Sequence, residues 1–164
     1  MKNFFLIPNY TMSFREFETL DAAVVPYFSF KDKCFWCRIV KVYDGDSVTG
    51  IIKFENTFYK ISIRLNGIDA CEIRSNTNEF LKNKAIACKE RLSQLLDFKD
   101  PKTNCMVWIV CHKNDKFGRV LADIYTSPDS KVKIQDILVR ENMAYVYSGG
   151  ARKITAEQVE YFMG

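Results

Sequence analysis

The chain has 164 residues, 48% of them hydrophobic and 14% aromatic, which is the make-up of one folded domain and excludes a disordered tail. Its formal charge is +4 and its isoelectric point about 8.7, a basic bias compatible with a polyanionic partner but too small to identify one. No apolar run approaches the ~20 residues that span a bilayer, and Pro8 and Asn9 interrupt Phe4 to Ile7 before a signal-peptide core can form. The expectation is an intracellular protein with no membrane partner.

Residues 1–33 show mixed aromatic and polar character without a sustained period. Arg15 to Leu20 suits a short helix, and Pro26 ends what precedes it. Phe14, Phe17, Tyr27, Phe28 and Phe30 would be costly to leave in water. The segment therefore reads as an N-terminal extension of no assigned role, packed on a main domain that occupies residues 34–164.

Cys34 to Val42 is aromatic and β-branched, a strand. Ser47 to Phe54 is a second, and Phe58 to Leu65 a third, in which Tyr59, Ile61, Ile63 and Leu65 alternate with Lys60, Ser62 and Arg64. Asn76, with Glu79 three residues on, predicts the N-cap of a helix that runs to about Phe98 and is stopped by Asp100-Pro101. Leu81, Ala85, Cys88, Leu92 and Leu95 form its apolar stripe. Cys105 to Cys111 and Val120 to Tyr125 are the fourth and fifth strands, separated by the polar turn Asp115-Lys116-Phe117-Gly118-Arg119. Ile134 to Asn142 reads as a second helix, Met143 to Tyr147 as a short extended segment, and Thr155 to Phe162 as a brief terminal helix. Three consecutive antiparallel strands, a helix and two further strands predict an α+β fold, a five-stranded OB-type Greek-key barrel with two to three helices packed on it.

Six cysteines, Cys34, Cys37, Cys71, Cys88, Cys105 and Cys111, raise the question of disulfides or zinc. Cys34 and Cys37 have a C-x-x-C spacing, but on a strand positions three apart face opposite ways. No second such pair follows and His112 is the sole histidine, so buried free thiols are the expectation.

Two glycine turns, Asp44-Gly45 and Asn66-Gly67, carry the chemistry. The first, Val42 to Val48, supplies Asp44 and Asp46; the second, Arg64 to Glu72, supplies Asp69 and Glu72 beside Arg64. Either turn alone suits an ordinary hairpin. Together, carboxylates at the strand ends of one sheet can converge on a hard cation, and an adjacent arginine suits a phosphate, which it grips with two parallel bonds. A phosphodiesterase is the chemistry this pattern suggests.

The motifs Asp44-Gly45-Asp46-Ser47-Val48, Arg64 to Glu72, Asp115 to Arg119 and Ala144-Tyr145-Val146-Tyr147, in that order, resemble those of the staphylococcal (micrococcal) nuclease family from about Phe35 to Tyr147. The resemblance implies a calcium-dependent endonuclease that hydrolyses DNA and RNA with low sequence specificity. It implies that Asp46 and Asp69 bind Ca²⁺, that the Ala70 backbone carbonyl is a further ligand, and that Asp44 supports them from behind. Arg64 and Arg119 would hold the scissile phosphate, and Glu72 would sit by the attacking water. Lys116, Tyr145 and Tyr147 would line the nucleotide pocket, although for the two tyrosines a half-buried edge strand is an equal alternative to base stacking. Three residues depart from the family pattern: Ala70 stands where threonine is frequent, Cys71 where proline is usual, and Phe117 where a tyrosine is common. The alternative function is a non-catalytic binding module, like the degenerate nuclease-like repeats of Tudor-containing coactivators. The oligomeric state is not legible.

Overall fold

Inward-facing residues at every second position close five strands into a barrel. The computed structural model describes residues 15–73, 78–151 and 153–163. Strands β1 (Cys34–Val42), β2 (Ser47–Phe54) and β3 (Thr57–Leu65) pair antiparallel in succession. A two-residue β4 (Ile68–Asp69) follows, then helix α2 (Glu79–Leu95), after the short α1 (Arg15–Glu18) near the start. Strands β5 (Met106–Asn114) and β6 (Val120–Tyr125) complete the barrel, whose order is β1-β2-β3-β6-β5. The β5 strand returns to β1, and β3 with β6 is the one parallel pair in the ring. Helix α3 (Ile134–Arg140), a two-residue β7 (Tyr145–Val146) and α4 (Thr155–Met163) end the chain. The OB-type α+β barrel expected from the sequence is the fold.

The core is filled from every strand, by Ile39, Ile52, Ile63, Ile109 and Ile124 among others, each worth ~1.5–3 kcal/mol when fully buried. In β1 the inward phase changes partway: Cys37 and Ile39 are buried, and then Val42. A register shift between Ile39 and Lys41 leaves Val40 as the extra residue, and such a bulge bends the strand and resets which residues face in. Gly50 lies opposite Ile39, where a Cβ would come 2.2 Å from the Cys37 Sγ.

Helix α2 buries Leu81, Ala85, Cys88 and Leu92, with Leu95 packed at the edge of the core. Its N-cap is Asn78, whose Oδ1 accepts from the Leu81 amide at 3.1 Å. The expected cap, Asn76, lies outside the described residues. The helix also ends earlier than Phe98. Asp97 turns left-handed at φ 47° and the Phe98 amide reaches back to the Ser93 carbonyl at 2.8 Å, so a local C-cap stops the helix before Asp100-Pro101. Arg91 grips Glu141 with two bonds, at 2.6 and 2.7 Å, tying α2 to the end of α3.

The N-terminal aromatics pack less than the sequence suggests. Phe30 sits against Phe35 and Phe54, but Phe17 and Phe28 are largely exposed and Tyr27 is 99% exposed; Phe14 lies outside the described residues. All six cysteines are free thiols, Cys34 exposed and Cys37 buried. Among the described residues no helix is long and apolar enough to cross a membrane.

Gly50→Ala should destabilise the protein by ~1–3 kcal/mol, the usual cost of overpacking a core. Urea unfolding measures it, and combining it with Cys37→Ala should recover part of the loss, because the sulfur is what the new methyl meets. A Gly50→Ala protein as stable as the parent would contradict this packing.

Candidate active site

At one end of the barrel, β2 begins and β3 finishes side by side, with Ser47 opposite Arg64. The Asp44–Asp46 turn enters β2, and the Asn66-Gly67 turn leads from β3 into β4, with Gly67 at φ 79°, a conformation natural to glycine. Both turns thus deliver their acids beside Arg64. The Arg64 Nη1 lies 3.0 Å from the Asp46 Oδ2, its Nη2 contacts the Asp69 Oδ1, and the same nitrogen donates to the Ile68 carbonyl at 3.3 Å. The three side chains are 8%, 3% and 0% exposed.

Each acid is held from a further side. Ser47 Oγ donates to the Asp46 Oδ1 at 2.8 Å, and the Ala70 amide donates to the Asp46 Oδ2 at 3.3 Å. The Asp46 amide in turn donates to the Asp44 Oδ1 at 3.2 Å, so Asp44 braces the turn. Tyr145 donates its hydroxyl to the Asp69 Oδ2 at 2.5 Å. Gly45 leaves no room for a side chain: a Cβ there would be 2.4 Å from the Cys88 Sγ of α2 and 3.0 Å from the Ala70 Cβ. The Cys88 thiol also faces the Gly45 carbonyl at 3.6 Å. Helix α2 therefore presses the acidic turn into place.

Arg119 joins the group from the β5–β6 turn. Its Nη1 donates to the Ser47 Oγ at 3.3 Å, and its Nε pairs with the Asp115 Oδ2 at 2.6 Å. The Asp115 Oδ1 accepts from the Phe117 and Arg119 amides, an Asx-type turn that fixes the loop. Burial works against the Asp115 carboxylate, yet its bonds to Arg119 and these amides outweigh that and hold its pKa below the ordinary value.

Asp46 shows the opposite balance. Burial pushes its carboxyl from 3.8 up to about 7, although the Arg64 guanidinium pulls it down. A buried carboxylate in this position favours either a proton or a cation. The donors that converge, two carboxylates with a backbone carbonyl alongside, are the hard oxygens that Ca²⁺ takes, and they already meet on one positive group. The residues present fit such an ion in donor chemistry, although among the described residues no group of three or more His, Cys, Asp and Glu side chains is arranged to hold a metal ion.

The structure thus brings together Asp44, Asp46, Arg64, Asp69, Ala70 and Arg119. The Ala70 contact observed is its amide donating to Asp46. Glu72 follows on the same loop and is half-buried. Lys116 is exposed, its ammonium 5.1 Å from the centre of the Phe117 ring. Tyr147 donates its hydroxyl to the Gly150 carbonyl at 2.6 Å and its amide to the Gly67 carbonyl at 2.9 Å. Tyr145 departs from the base-stacking placement: it is 1% exposed, enclosed by Tyr161 and Phe162, and acts on Asp69. That placement comes from the β4·β7 ladder, which sets Asp69 opposite Tyr145.

Two residues of the site escaped sequence reasoning. Ser47 links Asp46 to Arg119, and its signal was its place between the Asp-Gly-Asp turn and the strand. Asp115 positions Arg119, and its signal was an Asp opening a turn that closes on an arginine. Farther out, Asp123 binds Lys133 at 2.8 Å and Asn66 at 3.1 Å, while Gln135 reaches Asp123 at 2.9 Å, which anchors the Asn66-Gly67 turn to α3.

A family model described as staphylococcal nuclease homologue matches residues 62–162. That segment contains Arg64, Asp69, Ala70, Glu72, Lys116, Arg119, Tyr145 and Tyr147, while Asp44 and Asp46 lie upstream of it. No curated protein matches the chain.

Arg64→Met should cost ~3–5 kcal/mol at pH 8, because breaking a buried pair strands the carboxylates. The raised pKa of Asp46 means that the folded protein holds a proton the unfolded chain has released between pH 3.8 and about 7. Its contribution to stability is therefore present at low pH and lost as pH rises through about 7. The Arg64→Met penalty should accordingly shrink at pH 5, which urea unfolding at the two pH values would reveal. An equal penalty at both would disprove this account of Asp46.

Proposed function

The chain belongs to the staphylococcal nuclease homologue family, and from that premise we propose that it is a Ca²⁺-dependent endonuclease that hydrolyses phosphodiesters of DNA and RNA with little sequence preference. The observation that carries this reading is the meeting of Arg64 with Asp46 and Asp69, and its link through Ser47 to Arg119. Arg64 from the end of β3 and Arg119 from the β5–β6 turn, linked through Asp46 and Ser47, would form a receptor for a phosphate. Their forks match its oxygens, and charge placed where the transition state becomes more negative is worth far more in a water-poor site than in solution.

Asp46 and Asp69, with the Ala70 carbonyl, would hold Ca²⁺, and Asp44 would support Asp46 through the bond to its amide. When bound, the ion would supply positive charge for the phosphate oxygens. With both carboxylates ionised, Arg64 is more than neutralised by what it holds. Ca²⁺ held by Asp46 and Asp69 would balance those carboxylates and leave the Arg64 guanidinium more charge for a phosphate. Glu72, on the same loop as Asp69, would receive a proton from the attacking water or orient it. Asp115 holds the Arg119 Nε and so directs the other edge of that guanidinium. Lys116 and Tyr147 border the site as nucleotide contacts, and Tyr145 keeps Asp69 in register.

Cleavage of single- and double-stranded substrates should stop in a calcium-selective chelator and resume with Ca²⁺. Arg119→Ala should slow turnover by ~10²–10³, the typical cost of removing one such donor, with a much smaller effect on binding of a non-hydrolysable nucleotide. Lysine there should rescue poorly, since a point charge does not reproduce the two-pronged grip. A wild-type protein that binds nucleic acid but shows no Ca²⁺-dependent cleavage would be a binding module instead.

A further inference from the structure

Beside Arg119 the surface opens into a cleft of about 310 Å³. Its floor is the outer face of β3 at Lys60 and Ser62, one wall is the β5–β6 turn at Phe117 and Arg119, and the opposite wall is Phe28 to Phe30. That last wall lies outside the segment matched to the family. We infer that this cleft is a subsite for single-stranded nucleic acid, in which Phe28 takes the face of a base and Lys60 a phosphate farther along the strand than the one held at Arg64 and Arg119. The inference rests on the nuclease reading and extends it to a stretch of chain with no assigned role.

Geometry, charge and ring placement each support it. On β3 the residues Lys60, Ser62 and Arg64 share one face, because Ile61, Ile63 and Leu65 point to the core. Lys60 therefore lies ~13 Å from Arg64 along the strand, at ~3.3 Å per residue, with the cleft between them. Its described lining contains Lys60 and Arg119 and no acidic residue, which suits a polyanion. Phe28 is 71% exposed, and across the cleft the Lys116 ammonium and the Arg119 guanidinium lie over the Phe117 ring at 5.1 and 5.6 Å from its centre, which gathers positive charge on that wall. Exposed rings in a basic groove are how proteins hold unpaired bases, whose flat faces stack whatever the sequence.

The Phe28 wall is anchored. Phe30 packs edge-on against Phe35 at 5.4 Å and Phe54 at 5.3 Å between ring centres. Phe28 itself lies against Phe30 at 5.1 Å and Phe54 at 6.0 Å. The following residues are sewn to β5, with the Asp32 amide donating to the Cys111 carbonyl and the Cys111 amide to the Lys33 carbonyl, each at 2.9 Å. Phe28 is thus presented from a fixed edge, which reduces the ordering cost of binding. A duplex has its bases paired and stacked, and offers no base face to such a wall.

The test is anisotropy of a fluorescein-labelled single-stranded DNA decamer on the full chain, in chelator so that the strand survives, across a salt series. Lys60→Ala should weaken binding and lower the slope of log affinity against log salt by ~0.7, the loss of one phosphate contact. Phe28→Ala should weaken binding about fivefold or more with the slope unchanged, and Phe28→Trp should restore it. With Ca²⁺, KM for the decamer should rise in proportion while kcat stays within about twofold. A labelled dinucleotide, too short to reach Lys60, should bind all the proteins alike. Should wild type cleave the decamer while the variants match it in affinity and slope, the subsite is wrong and the nuclease reading stands. Should wild type bind the decamer without cleaving it under Ca²⁺, the nuclease reading fails, and the same variants still judge the subsite. A wild type that neither binds nor cleaves overturns both.

Discussion

The ion pairs of Arg64 with Asp46 and Asp69 are the constraint around which this end of the barrel is arranged. Burying ions costs several kcal/mol each, and geometry must be close to ideal before their attraction offsets that cost. The chain meets the requirement with bonds from elements remote in sequence: Ser47 at the start of β2, the Ala70 amide, the Ile68 carbonyl and the Tyr145 hydroxyl. Apolar side chains of similar volume would serve stability as well or better. Stability alone therefore does not account for this arrangement, whereas a site that must present charge at a fixed point does.

The rest of the fold bears on the same point. The Leu65 amide donates to the Asp46 carbonyl at 2.8 Å, which fastens the acidic turn to the end of β3. Helix α2 closes on that turn at Gly45, and Arg91 secures the helix to the end of α3 through Glu141. Helix α3, through Gln135 and Asp123, fixes the turn that starts β4. Packing forces on three sides converge on two short turns, which hold their acids more rigidly than turns alone would. Rigid support of this kind is what a preorganised site needs.

The five barrel strands were legible because alternation in Phe58 to Leu65 and the β-branched runs elsewhere carry a period that sterics enforce. The bulge at Val40 was not, since one extra residue leaves no periodic trace. Asn76 and Asn78 are both good caps in sequence; the structure uses Asn78, from which Leu81 is the third residue and the first of the buried stripe. The acids and arginines of the site were legible as chemistry, through an Asp-Gly turn, an Asn-Gly turn and an Asp-to-Arg turn. Their connections were not, because they are long-range: Tyr145 meets Asp69 across 76 positions and Arg119 meets Ser47 across 72. A ladder two residues long, such as β4·β7, has too little pattern to announce itself.

The two arginines are held in different ways, and the difference bears on how the site would operate. Arg64 is enclosed, with two carboxylates and a carbonyl accepting from its guanidinium, so its position is fixed by the barrel and its charge is spoken for. Arg119 is 28% exposed in its side chain and rides on a turn shaped by Gly118 at φ 80° and by the Asp115 carboxylate. Asp115 balances its charge at the Nε edge, and Arg119 also borders the open cleft. On the proposed reading, a phosphate approaching through that cleft would meet Arg119 first, where less of the guanidinium is buried. Arg64 is closed off by its bonds to Asp46 and Asp69. On the proposed nuclease reading, burial and charge balance would therefore set the order of access: the less buried Arg119 would recruit the phosphate and the enclosed Arg64 would engage it afterwards.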